Sequence, residues 1–146
     1  MAKPRSLYSG FTEQRISFIT LAVDDVARSR AFYADGLGWK PIFENDEVFM
    51  RPVGQHLMLS LSSIEEFTAE IGHAPTTGIA SLTLAHNCKT EAEVDSVLEL
   101  AASIGAETSP ALRREWGGYS GYFSDPDGFR WEIAMNSGPT GDYALP

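Results

Sequence analysis

Arg130 and Glu132 stand two residues apart in an otherwise apolar run, Phe129-Arg130-Trp131-Glu132-Ile133-Ala134-Met135, which follows directly on Asp125-Pro126-Asp127-Gly128. Side chains alternate along an extended strand, so Arg130, Glu132 and Ala134 share one face and Phe129, Trp131, Ile133 and Met135 the other. The apolar set belongs against a core. That turns the guanidinium and the carboxylate toward solvent or into a polar cavity, where Glu132 can serve as a general base or as an ionic anchor. An exposed strand residue without a chemical task fits the same spacing.

Few other side chains offer chemistry. His86 has the parity of Leu82 and Leu84, the helix-packing side of a strand, and reads as a structural histidine. His73 lies in a linker and reads as solvated. His56 shares the parity of Met58 and Ser60. Cys88, the single cysteine, has no neighbouring Cys or His with which to form a ligand set, and a structural role suits it better than a nucleophilic one.

The register of the carboxylate depends on the turn before it. Asp125 can hydrogen-bond its own backbone, Pro126 presets φ for the second turn position, and Gly128 supplies positive φ for the returning strand. A hairpin between Tyr119–Ser124 and Phe129–Met135 is therefore predicted.

An internal repeat organises the rest. Phe18-Ile19-Thr20-Leu21-Ala22-Val23 echoes Ser81-Leu82-Thr83-Leu84-Ala85-His86 through a shared Thr-Leu-Ala, at an offset of 63 residues from 18 to 81. A capped amphipathic helix follows each copy. In the first, Asp24 or Asp25 caps a helix carrying Val26, Phe32, Tyr33 and Leu37, stopped by Gly36 and Gly38. In the second, Thr90-Glu91-Ala92-Glu93 is a capping box, Val94, Val97, Leu98 and Ala101 fall at helical spacing, and Gly105 suits a left-handed cap.

Three short strands are predicted after each helix: Pro41–Glu44, Glu47–Arg51 and Gln55–Leu61, then Ala106–Ser109 and the two arms of the hairpin. The resulting division is a first module over 15–61, a linker over 62–78 with a short helix capped by Ser63 and ending near Ile71, and a second module over 79–136. Tails of 1–14 and 137–146 flank them.

Composition narrows the function classes. A chain of 146 residues with 43% apolar content supports one core or two small modules sharing one. Twenty acidic against 11 basic residues give a net charge of −9, and no basic cluster offsets it, so nucleic acid is not an expected partner. The polar start has no signal-peptide character and no run approaches a membrane span. A soluble, reducing, cytoplasmic setting is the expectation.

The duplicated strand-helix-three-strand unit, Phe32-Tyr33 with Gly36-Leu37-Gly38-Trp39, and Asp125-Pro126-Asp127-Gly128 with Trp131-Glu132 resemble the vicinal oxygen chelate superfamily of glyoxalases, bleomycin resistance proteins and extradiol dioxygenases. The resemblance covers 15–136. Leu84-Ala85-His86-Asn87 and Trp116 through Phe123 resemble a glyoxalase-like branch of unassigned activity. It implies an α+β fold of two tandem βαβββ modules whose mixed sheet curls into a cup, with the ligand or metal inside.

Metal-dependent members take a His or Gln from the first strand and a Glu from the last strand of each module. Carried onto this chain, those positions are Phe18 and Ser81, then Glu132 and either Met58 or Ser60. Only Glu132 is a ligand of the usual kind, and one carboxylate cannot hold a catalytic metal. No cofactor is therefore predicted, the alternative being a divalent metal on Glu132 with a relocated His56.

On parity the cup receives Phe18, Thr20 and Ala22; His56, Met58 and Ser60; Ser81, Thr83 and Ala85; Arg130, Glu132 and Ala134. Trp116, Tyr119 and Tyr122 add a wall, or a lid swinging on Gly117-Gly118, or else pack the module interface. Such a cavity suits a small aromatic or cationic organic ligand. The alternatives are a lyase, isomerase or dioxygenase using Glu132 as its catalytic residue, and a module that only dimerises. A homodimer is expected, as two cups side by side or as exchanged halves.

Overall fold

The computed structural model describes residues 12–146. Most of the predicted N-terminal tail therefore lies outside the described residues. The chain begins with β1 (Phe18–Val23), whose Leu21 and Val23 are buried while Phe18 and Thr20 are exposed. Asp25 then caps α1 (Val26–Arg30) by accepting the Arg28 amide at 3.2 Å. α1 runs on as a π-helical turn over Ala31–Gly36, closed by the Leu37 amide donating to the Phe32 carbonyl at 2.9 Å. Phe32, Tyr33 and Ala34 are buried there.

The first sheet is completed by β2 (Phe43–Glu44), β3 (Val48–Pro52) and β4 (Met58–Ser63), in the order β1-β4-β3-β2 with β1 and β4 parallel. α2 (Ile64–Ile71) follows at once, with the Ser63 hydroxyl accepting the Glu66 amide at 3.1 Å. The second sheet is formed by β5 (Leu84–Asn87), β6 (Glu107–Thr108), β7 (Leu112–Arg113), β8 (Tyr119–Ser124) and β9 (Arg130–Met135). Its order is β5-β9-β8-β6, β7 also pairing with β8, and β5 is parallel to β9.

α3 (Glu91–Ser103) connects β5 to β6 and carries the expected capping box. The Thr90 hydroxyl accepts the Glu93 amide at 3.1 Å and the Glu93 carboxylate accepts the Lys89 amide at 3.0 Å. Thr90→Ala should cost about 1 kcal/mol, visible as a lowered midpoint in thermal melting.

Four readings need correction. The segment 137–146 is not a loose tail. It holds α4 (Pro139–Tyr143), where buried Gly141 lies against the Asn136 backbone so closely that a methyl there would collide with it. β4 starts at Met58, so His56 precedes the strand, is exposed, and has no strand parity with Met58 and Ser60. β5 starts at Leu84, so Ser81 and Thr83 precede that strand too. β7 was not anticipated, because Leu112–Arg113 is too short to show an alternating pattern.

The two sheets share one core. Leu21, Val23, Leu59 and Leu61 of the first meet Phe123, Trp131 and Ile133 of the second in a single buried cluster, with α1 and α3 contributing Tyr33, Val94 and Leu98. Aromatic contacts join the modules: Phe32 and Phe123 have centroids 5.9 Å apart, Tyr33 and Trp131 6.3 Å, Trp39 and Trp131 5.3 Å. Phe123 and Trp131 stack at 6.2 Å.

Hydrogen bonds from the Asp-Pro-Asp-Gly turn weld the modules at the same place. Asp127 accepts the Asp24 amide at 2.8 Å, the Arg28 guanidinium at 3.2 Å and the Ser29 hydroxyl at 3.3 Å, which anchors the start of α1. Asp125 takes the Asp127 and Phe129 amides at 2.9 Å on one oxygen and the Tyr33 hydroxyl at 2.6 Å on the other. Trp131 in turn donates its indole N–H to the Tyr33 oxygen at 3.0 Å. Gly128 closes the turn at φ +86, where a side chain would be strained. Among the described residues, no helix is long and apolar enough to cross a membrane.

Candidate functional site

The hairpin does what its turn chemistry predicts: Tyr122 pairs with Glu132, Ser120 with Ala134 and Ser124 with Arg130. Trp131 and Ile133 enter the core, which leaves Glu132 and Arg130 half-buried on the opposite face. Tyr122 and Glu132 are cross-strand neighbours. Burial raises the Tyr122 phenol above its ordinary value, and the negative charge and hydrogen-bonding carboxylate of Glu132 raise it further. Ser109, directly after β6, holds Tyr122 from the other side, its amide donating to the Tyr122 carbonyl at 2.9 Å and the Tyr122 amide to its hydroxyl at 3.1 Å.

Arg114 completes this face and was not anticipated. Its Nε donates to the Ser120 hydroxyl and its Nη2 to the Ser120 carbonyl, both at 2.9 Å, Ser120 itself being fully buried. The β7–β8 turn holds its backbone, with Arg114 N–H on the Gly118 carbonyl at 2.8 Å. Only recognition of β7 as a strand would have shown that Arg114 folds back onto Ser120. A cavity of about 460 Å³ opens beside Tyr122 and Arg130, its other walls formed by Thr83, Glu107 and Ser124.

The first module's counterpart face has a different character. Met58 pairs with Phe18, Ser60 with Thr20 and Met50, and Met50 with Phe43. The face carries two aromatic rings and two thioethers and no charge. Phe18 and Phe43 are each half exposed at 52%.

Several predicted site residues are elsewhere. Tyr119 lies on the helix side, donating to Asp95 of α3 at 2.7 Å with the Arg113 guanidinium over its ring at 5.9 Å. Alternation decides this, since Tyr119 and Tyr122 are an odd number of residues apart. Trp116 is exposed and folds back on its own turn. Its indole lies across buried Gly118, and a methyl on Gly118 would clash with the ring. Ser81 lines a groove beside α2 with Phe67 and Leu82, and Thr83 borders the Tyr122 cavity. His86 stays exposed at the rim of a cavity of about 620 Å³ between the modules, formed chiefly by Ile19, Trp39, Leu59, Leu84 and Trp131. Cys88 is buried at the end of β5, and burial, then the nearby Glu93 charge, pushes its thiol up.

The structure also revises the repeat. Helix caps Asp25 and Thr90 are equivalent, an offset of 65 residues rather than 63. Thr83, not Ser81, is then the counterpart of Phe18. The parallel pairings agree, because Thr20 faces Ser60 as Ala85 faces Glu132, which makes Ser60 the counterpart of Glu132. The four positions where metal-dependent relatives place ligands thus carry a phenyl ring, two hydroxyls and one carboxylate. This donor set does not fit a divalent transition metal. Among the described residues, no group of three His, Cys, Asp or Glu side chains is placed to hold a metal.

The fold and the last-strand carboxylate define a class. Residues 15–133 match the model of the Glyoxalase/Bleomycin resistance protein/Dioxygenase superfamily, and the chain belongs to that family. A glyoxalase-related enzyme from Fulvimarina pelagi is 35% identical, with 85% of this chain and 89% of that one aligned at a TM-score of 0.79. Hypothetical protein SA1046 from S. aureus shares the fold at 22% identity, covering 89% and 99%, TM-score 0.75. So does lactoylglutathione lyase from Agrobacterium tumefaciens, at 22% identity, 85% and 95% coverage and TM-score 0.69. No curated protein matches the chain.

Proposed function

We propose that the protein binds a small organic molecule, without the family's metal, in a cup built by two copies of the chain. One observation carries this reading. The modules of a single chain share a core through their helix-bearing sides, so the Phe18–Met58 face and the Tyr122–Glu132 face both turn away from that core. Pairing one copy's first-module face with the other's second-module face would set an apolar wall against a polar one.

The sheet edges support a homodimer. β1 and β5 are terminal strands of their sheets and both border the 620 Å³ cavity between the modules. Unpaired edges with apolar surroundings favour strand-to-strand association, and a two-fold arrangement that sets each β1 beside the other copy's β5 closes both at once. Buried Cys88 suits a reducing, cytoplasmic setting.

The Tyr122–Glu132 pair favours one alternative, an isomerase or lyase in which the carboxylate moves a proton and the phenol hydrogen-bonds the product of that transfer. Glu132→Gln separates the readings. Unchanged ligand affinity with turnover reduced about 100-fold or more identifies catalysis, whereas lost affinity identifies an anchor. Thermal shift with and without divalent ions is expected to show no stabilisation by metal, and a stoichiometric metal in the purified protein would overturn the metal-free reading.

A further inference from the structure

We propose that Arg114 anchors an anionic group, so that the ligand of this cup is a small organic acid, a carboxylate carried on an apolar body. The assignment rests on the ligand-binding reading above and narrows it. Arg114 is half-buried, and two of its donors are fixed on Ser120 at 2.9 Å, which sets the plane and direction of the guanidinium before any ligand arrives. Its charge acts on Tyr122, partly opposing the rise of that phenol. Ser120 shares its strand face with Tyr122, and both lie opposite Ala134 and Glu132 of β9, so Arg114 sits on the face that carries the Tyr122–Glu132 pair.

The neighbouring cations are engaged differently. Arg113 is paired with Glu91 at 2.7 Å, and Arg28 with Asp127 at 3.2 Å. Among the described residues, Arg114 has no carboxylate within ion-pair distance, while its remaining N–H donors match the fork of a carboxylate. Arg130 adds a second guanidinium two residues from Glu132 on the same strand face, and lines a cavity with Glu107. The first-module face brings no charge at all. A ligand with an apolar body for Phe18, Phe43, Met50 and Met58 and one negative head for Arg114 matches both walls, whereas a cationic head there would meet a guanidinium that no carboxylate among the described residues pairs. The acidity of the whole chain does not prevent this, because distant surface charges are screened within about 8 Å at physiological salt.

Three probes of one shape and different charge test the assignment: benzoate, benzyl alcohol and benzylamine, titrated into the full-length protein at fixed ionic strength and followed by ligand-detected NMR. Benzoate is expected to bind best, Arg114→Gln to weaken it about tenfold or more, and Arg114→Lys to retain part of the affinity. Arg113→Gln should bind as the parent does. Thermal melting of each variant separates loss of the anchor from loss of the fold. Preference for benzylamine, or undiminished benzoate binding in a folded Arg114→Gln, overturns the anion assignment. Silence from all three probes overturns the ligand-binding reading itself.

Discussion

Asp125→Ala should lower the free energy of unfolding by about 3 kcal/mol or more, the largest stability effect expected of any single polar residue among those described. The carboxylate is 5% exposed and receives the Tyr33 hydroxyl at 2.6 Å as well as the Asp127 and Phe129 amides at 2.9 Å. Alanine leaves three donors without a partner in a place water does not reach, and the cost of stranding them exceeds the net worth of each bond. Tyr33→Phe removes one of those bonds together with the acceptor of the Trp131 indole N–H, and should cost less, about 1.5–3 kcal/mol. The double variant should be milder than the sum, since the two residues meet directly. Urea titrations of the four proteins measure this, and full additivity would refute the proposed coupling.

The same residue predicts a pH dependence. Burial holds the Asp125 carboxyl above its ordinary value, against the opposing pull of the Tyr33 hydroxyl and the turn amides. The folded state therefore keeps its proton to higher pH than the unfolded state does. Between the two values the native form binds more protons, so this contribution is complete below about pH 4, the unfolded value, and is lost as pH rises through the folded one. Asp125→Asn should flatten that part of the stability profile. A profile unchanged by the substitution would place the dependence on other carboxyls.

Mixing two inactive variants should restore ligand binding. If each cup combines one copy's Phe18 face with the other copy's Arg114–Glu132 face, Phe18→Glu and Arg114→Glu each spoil every cup in their own homodimers. After unfolding and refolding as an equimolar mixture, half of the dimers are mixed. Each mixed dimer then holds one cup with both faces intact and one with both altered, so about a quarter of all cups recover. Stoichiometric titration of the refolded mixture reads this fraction directly. If the cup instead lies within a chain, recovery is zero. Light scattering on the parent protein supplies the companion measurement, and a monomer at working concentration would rule out the exchanged arrangement.

Local chemistry made much of the fold readable. The Thr90 capping box, the Ser63 cap and the Asp125–Gly128 turn each rest on contacts within four residues, and all form as their sequences suggest. Register was harder. The shared Thr-Leu-Ala drew the repeat two residues out of place, because strand sequences carry only a two-residue period and a shift of two preserves every facing. The helix caps, which are fixed points, restored it. Long-range placement was not legible at all, since nothing in the spacing of Tyr33 and Asp125 announces that they meet, and the contact of Arg114 with Ser120, six residues on, was hidden because β7 was too short to recognise. The site shows the same division. Glu132 and Arg130 emerged from alternation on a well-defined hairpin, and Tyr122 was named only together with Trp116 and Tyr119, whereas His56, Ser81 and Thr83 were placed by extending strands past their ends, where alternation no longer applies.

The bond from Tyr33 to Asp125 joins residues 92 positions apart, and this has a consequence during synthesis. The first module leaves the ribosome with Phe32, Tyr33 and Trp39 uncovered, and their partners Phe123, Asp125 and Trp131 follow only with the hairpin of the second module. Until then the nascent first module displays an aromatic surface that it cannot bury alone, beside an open strand edge. Truncated chains ending before residue 123 should therefore be captured by chaperones or aggregate, and folding should complete only once the last hairpin has emerged.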